Sequence, residues 1–424
     1  MTSTVLEADL TWIDGAFRPG VQIEVDGAGG IVALGSDLPV TDRRAGEAIL
    51  PGFVNAHSHA FQRGLRGRGE HFPQSGGSFW TWRQEMYDLV DRLGVVEFQS
   101  ISTQAFHEMR RSGMTTVGEF HYFHHDGTDG GFAMDEAVIA AAEAAGIRMV
   151  LLHAYYVTGG IAASLQGGQR RFDTFSQEQY WAQIDALQNR LAGTRHTLGV
   201  VVHSIRAAPL EDLALIHAEA RRREMVVHIH LEEQVKEIEE CKAAFGRTPM
   251  RVLLDTIEVD HQTVCVHCTH TQPQEMAEFI DRGGRVCICP LTEANLGDGI
   301  PQLANVPNHR LSLGTDSNAR IDMLEEARWL EYGQRLSRQS RGIIRDPEGF
   351  NAVELLHAAT IGGGNALGTC GGRIAPGVPA DLCAVDLSHP SLTGATAGTL
   401  AEMIVFGCDA SVITGTCVAG QWSS

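Results

Sequence analysis

The 424-residue chain is poor in lysine: Lys236 and Lys242 are the only two, so nearly all positive charge is arginine. Acidic residues dominate, giving a formal charge of −19 at neutral pH, and no basic block relieves it. A phosphate backbone needs a basic face, so no nucleic-acid partner is expected, and no anionic membrane surface either. No apolar run approaches the length of about 20 residues that a membrane helix requires. The first residues, MTSTVLEADLTWIDG, lack the basic and apolar regions of a secretory signal, which predicts a cytoplasmic protein. The nine cysteines lack the spacing and small host of a secreted disulfide scaffold. Cys265 and Cys268 fall three apart on a strand and so face opposite sides; small apolar packing is the expected role for all nine. Internal repeats and low-complexity segments are missing too. No GxGxxG follows the first strand, which speaks against a dinucleotide fold.

What is present is globular: 43% hydrophobic and 20% charged residues. The first fifty residues read as short alternating strands, and so do the last fifty. Between them strands and helices alternate. The strand candidates are Ala48–Ala56, Thr115–Tyr122, Arg148–Tyr156, Thr197–Ser204, Met225–Leu231, Thr263–His270, Arg285–Pro290 and Leu311–Asp316. MDEAVIAAAEAAG and PLEDLALIHAEARRRE read as two of the helices, by a terminal Gly and by the placing of acids and bases. Eight such units predict an α/β fold, a (β/α)8 TIM-like barrel over 51–369. Residues 1–50 and 370–424 are expected to form a small β-sandwich domain from both termini. Most candidate strands end on His, Asp or Tyr, as the mouth of a barrel requires; an open sheet would gather such groups at one switch point.

In PGFVNAHSHAFQRG, His57 and His59 share one face of the first strand. With 19 histidines in 424 residues, about one HxH arises by chance, so the pair alone carries little. Two more strand ends supply partners, His230 in VVHIHLEEQ and Asp316 in LSLGTDSN. Three imidazoles and a carboxylate suit a catalytic metal that keeps one position open. His228 is expected to be a buried, hydrogen-bonded residue. Glu233, three past His230, has the spacing of a general acid/base; Glu232 reads as a solvated carboxylate opening the next helix. His267 ends the sixth strand, where it could stabilise a metal-bound hydroxide. Trp80 and Trp82 read as core aromatics, and Arg63, Arg66 and Arg68 as loop and surface charges.

These residues at these strands resemble the amidohydrolase superfamily of metal-dependent hydrolases, and GGRIAPGVPADLCAVD resembles its barrel exit. Superfamily members with two metals bridge them by a carboxylated lysine on strand four; TLGVVVHS has none, so a mononuclear centre is implied. NAHSHAFQRGLRG, SFWTWRQEMY, EFHYFHHD, VHSIRAAP, HIHLEEQ, VHCTH, TEANLGDG, GTDSNAR and LEYGQRL, in this order, are similar to the N-formimino-L-glutamate deiminase family. The chain departs from that pattern at Val202 and Leu291, neither of them a proposed ligand. The resemblance implies one divalent metal, zinc, on His57, His59, His230 and Asp316. It also implies Glu233, His267 and Asp316 as catalytic groups, a homodimer, and a small anionic substrate held by Gln62, Arg83, Tyr122, His203 and Arg206. The competing expectation within the superfamily is a deaminase of another amidine, a guanidino compound or a nucleobase.

Overall fold

The computed structural model describes residues 3–70, 77–127, 130–304 and 306–423. Eight parallel strands pair in chain order: β1 (Phe53–Ser58), β2 (Met114–His121), β3 (Arg148–Tyr155), β4 (Thr197–Ser204), β5 (Val227–Leu231), β6 (Thr263–His267), β7 (Arg285–Ile288) and β8 (Leu311–Leu313). A parallel bridge from Ser58 to Asp316 returns the last strand to the first. The barrel is therefore all but closed, and its strands, covered by helices outside and side chains inside, are buried on both faces. That burial is why they read as apolar runs without alternation.

The stretch 48–56, expected as one strand, is two. Asp42–Pro51 belongs to a second sheet, and the chain passes into β1 at Gly52. The Gly52 N–H donates to Asp381 O at 2.9 Å, and a Cβ there would lie 2.2 Å from the Thr115 side chain, so the turn needs glycine. The second sheet is mixed, eight-stranded and drawn from both ends of the chain. Leu382–Asp386 pairs antiparallel with Asp42–Pro51, and Thr4–Ile13 pairs parallel on its other side. Leu6, Ile23, Ile31, Ile49, Leu382 and Cys417 close a core of its own. The two expected helices run over Ala133–Ala145, capped by a left-handed Gly146, and Leu210–Arg222. Among the described residues no helix is long and apolar enough to cross a membrane.

Outside the barrel, a polar cluster ties β2 and β3 to two helices. The buried Asp135 carboxylate accepts from His121 Nε2 (2.9 Å), His124 Nδ1 (3.0 Å), His153 Nε2 (2.8 Å) and Gln183 Nε2 (2.9 Å). His124 Nε2 faces Ala154 O at 2.9 Å, so both its ring nitrogens carry protons. Burial alone would raise Asp135; the imidazoles hold it well below the usual carboxylate range. With four N–H donors the Asp135 carboxylate is satisfied, while His153 Nδ1 is buried without a partner. Asp135→Ala leaves those donors without an acceptor and is expected to cost about 3–5 kcal/mol, seen as a lower denaturant midpoint.

Candidate active site

The ends of β1, β5 and the turn after β8 bring His57, His59, His230 and Asp316 together, with one donor atom of each within 4.8 Å of the others. His59 Nδ1 faces Phe120 O at 2.8 Å, and His230 Nδ1 faces His203 O at 3.1 Å. Carbonyls only accept, so both Nδ1 atoms carry the proton and both Nε2 atoms present lone pairs. Those lone pairs converge: His59 Nε2 lies 3.4 Å and His57 Nε2 3.2 Å from His230 Nε2. Asp316 Oδ1 stands 3.3 Å from Nε2 of both His57 and His59. Burial lowers all three imidazoles, His59 to about 3, so they stay neutral. Neutral nitrogens and a carboxylate oxygen crowded around one point repel unless a cation stands there. The set therefore fits a metal, and the carbonyls of Phe120 and His203 hold the two rings so that each Nε2 faces the shared point.

Glu233 and His267 adjoin this cluster. His267 Nε2 is 3.8 Å from both Glu233 Oε1 and Asp316 Oδ2. Burial pushes Glu233 up to about 7 against the pull of His267. Burial opposes charge on His267 as well, but Glu233, Glu293 and Asp316 outweigh it and raise its pKa well above the usual value. His267 (φ 72°) and Asp316 (φ 46°) both occupy the left-handed region, a strain of roughly 1–3 kcal/mol each that turns them into the mouth.

Three expectations change here: for Glu232, for the two tryptophans and for one cysteine. Glu232 is not solvated. It is buried, and its Oε1 accepts from Met250 N at 2.9 Å, in the first turn of the helix Pro249–Thr256. Trp82 reaches the pocket wall, and Trp80 packs under the Lys236 ammonium at 4.2 Å from its ring. His228 is buried with Nε2 on Ala366 O at 2.9 Å, as expected. Arg63 and Arg66 both pair with Glu108. All nine cysteines are free; eight are buried and Cys370 is exposed, so packing does not account for that one.

A single cavity joins the cluster to the remaining expected residues. Its lining includes His59, His230, Asp316, Glu233 and His267 together with Gln62, Arg83, Tyr122, His203 and Arg206. Gln62 Nε2 donates to Tyr122 Oη at 2.7 Å, while its Oε1 is buried without a partner. Arg206 Nε is also buried and unpartnered, and among the described residues neither Arg83 nor Arg206 makes an ion pair.

Against known families, residues 48–422 match the amidohydrolase family model. The chain belongs to the amidohydrolase family. It is 38% identical to the formimidoylglutamate deiminase of Pseudomonas aeruginosa over 95% of this chain and 90% of that protein. The 5-methylthioadenosine/S-adenosylhomocysteine deaminase of Moorella thermoacetica is more distant, at 30% over 86% of this chain and 79% of that one. An amidohydrolase structure from Brucella melitensis superposes with a TM-score of 0.91 at 30% identity, covering 99% of this chain and 94% of that one. A zinc-bound adenosine deaminase from Xanthomonas campestris, 23% identical with a TM-score of 0.79 over 99% and 92% of the two chains, shares the fold.

This amidohydrolase also carries supports that strand and motif reading missed. Glu293 Oε1 accepts from His267 Nδ1 (3.3 Å) and from Cys289 N (3.1 Å). Asn318 Nδ2 lies within bonding distance of Ser58 Oγ (3.1 Å), His59 O (3.0 Å) and Asp316 O (2.9 Å), clamping β1 to the turn after β8. Tyr87 and Tyr156 line the cavity beside the arginines. Tyr87, Glu293 and Asn318 fall inside quoted motifs, but their roles rest on contacts with residues far off in the chain.

Proposed function

We propose that the chain is a metal-dependent hydrolase that converts N-formimino-L-glutamate and water into N-formyl-L-glutamate and ammonia. The observation that carries the substrate class is the pair Arg83 and Arg206: two guanidinium groups without carboxylate partners among the described residues, in the same cavity as the four-donor cluster. In a chain of charge −19, such groups are best explained by an anionic ligand that completes them, and the guanidinium fork matches carboxylates. The similarity to a formimidoylglutamate deiminase supports the same reading.

His57, His59, His230 and Asp316 would hold one divalent ion, zinc by its liking for imidazole and carboxylate at an open site. When bound, the ion supplies Lewis acidity and lowers the pKa of its water to around 7. The remaining work falls to the chain. Arg83 and Arg206 hold the two carboxylates. Gln62 Oε1 offers an acceptor to a formimino N–H, and Tyr122 fixes its amide. Asp316 turns Oδ1 to the imidazoles and Oδ2 towards His267, where it can take a proton from the attacking water. His267, steadied by Glu293, offers its Nε2 hydrogen to the attacking oxygen. Glu233 delivers a proton to the imino nitrogen, and the proton that Asp316 took from the water passes to the same nitrogen, which leaves as ammonia when its bond to the former formimino carbon breaks; the hydroxyl proton released as the new C=O forms returns to Glu233.

Ammonia release from N-formimino-L-glutamate, abolished by chelator, is the direct test. Arg83→Ala and Arg206→Ala are each expected to raise KM about 10–100-fold on this dianion, from the loss of a charge-assisted contact. A parent enzyme that instead deaminates nucleosides or guanidino compounds, with both variants unaffected, would overturn the reading.

A further inference from the structure

The substrate cavity has a wall made of two phenols, and a buried amide behind it decides where their hydrogens point. Gln169 is 7% exposed and does not line the cavity. Its Oε1 accepts from the Gln166 backbone N–H at 3.0 Å. A backbone N–H only donates, so this contact fixes the amide: the oxygen faces Gln166 and the NH2 faces away. That NH2 group lies 3.1 Å from Tyr87 Oη, 3.2 Å from Gly159 O and 3.5 Å from Tyr156 Oη. The group has two hydrogens for three acceptors, so Tyr87 Oη is served ahead of the longer contact to Tyr156 Oη, and neither phenol can give its own hydrogen to this NH2. Each phenol has a single hydrogen, and it must point elsewhere. Arg83 is no acceptor, and it sits over the Tyr87 ring with Cζ 5.3 Å from the centroid. The free direction is the cavity, where Arg83 and Arg206 also present donors only.

We infer that Tyr87 and Tyr156 are specificity residues whose hydroxyls donate to the substrate carboxylate docked on Arg83, and that Gln169 is the positioning residue that sets their direction. This deepens the reading of the site as one for a formimino dicarboxylate and rests on it. The chemistry selected is a carboxylate, which accepts several hydrogen bonds on two oxygens. A neutral amide brings N–H hydrogens against a wall of donors whose only acceptors, the phenol oxygens, already face Gln169. A cationic group would be repelled by the arginines as well.

Gln169→Glu is the sharpest variant. It keeps the size and the contact with Gln166 N, but its second oxygen accepts, so it draws the phenol hydrogens away from the cavity. Tyr87→Phe and Tyr156→Phe remove the donors outright and leave the rings. Binding of the dicarboxylate N-formyl-L-glutamate, measured by calorimetry on the metal-loaded protein, is expected to weaken about 10-fold or more in each variant. Unfolding midpoints should stay near the parent's for both phenylalanine variants. In turnover the loss should appear in KM rather than kcat. It should also vanish on one of two monocarboxylate analogues, N-formimino-L-glutamine or N-formimino-γ-aminobutyrate, whichever lacks the docked carboxylate. Parent-like binding in all three variants, or an equal penalty on all three substrates, overturns the inference. If the parent binds the dicarboxylate and the variants weaken it, yet no ammonia comes from N-formimino-L-glutamate, the reaction assignment falls and the carboxylate wall stands.

Discussion

Glu233→Gln is expected to lower kcat about 10²–10⁴-fold, the usual contribution of a positioned acid/base, while metal content stays at the parent level. Glutamine keeps the shape and the burial but cannot carry a proton to the imino nitrogen. The position suits that task. Glu233 is 8% exposed, 3.8 Å from His267, and outside the four-donor cluster. Burial keeps its carboxyl near 7, where proton uptake and release are balanced at neutral pH. KM should change little, since the charges that hold the substrate are Arg83 and Arg206. Near-parent turnover with metal bound would remove Glu233 from the mechanism. Assays on Glu232→Gln provide the contrast. That carboxyl is pushed to about 7 by burial as well, yet it faces Met250 N and lies off the cavity, so its loss should lower stability rather than kcat.

The two glutamates also mark how far the sequence could be read. Eight strands and their polar ends were legible because burial on both faces writes apolar runs, and His59, His230 and Asp316 fall where such runs end. His230 was separable from His228 on that ground. The HxH pair, by contrast, gained meaning only from the other strand ends. Glu232 was misread because its partner, Met250 N, is 18 residues away, on the helix after next. The split at Gly52 had one signal, the Pro51–Gly52 pair inside the apolar run, and the close approach of Thr115 is what demands glycine there. Glu293, Asn318 and Gln169 escaped for a related reason. Each acts through an atom of a distant residue, and no local period or spacing encodes such a contact. Arg83 and Arg206 entered by family resemblance alone, since a lone arginine in sequence looks like any surface charge.

Stripping the metal is expected to abolish ammonia release and also to loosen the barrel mouth, lowering stability by about 4 kcal/mol under conditions where the ion stood at 1,000 times its dissociation constant. Both effects follow from the same crowding. His59 and His230 have their protons pinned on Nδ1 by Phe120 O and His203 O, so neither Nε2 can shed its lone pair by changing tautomer without losing a buried bond. His57 Nδ1 is buried without a partner, which leaves only one of the three rings free to move its proton. Protonation is the other escape, and burial opposes it by holding these imidazoles below their usual range. Without a cation, a proton on His57 Nε2 can face Asp316 Oδ1, but the pinned Nε2 lone pairs of His59 and His230 still oppose each other, and the strain reaches β1 and the turn after β8 through Asn318. Adding back zinc should restore both the midpoint and the activity. An apoprotein as stable as the holoprotein, taking up no metal, would show that the four donors are held by something other than a cation.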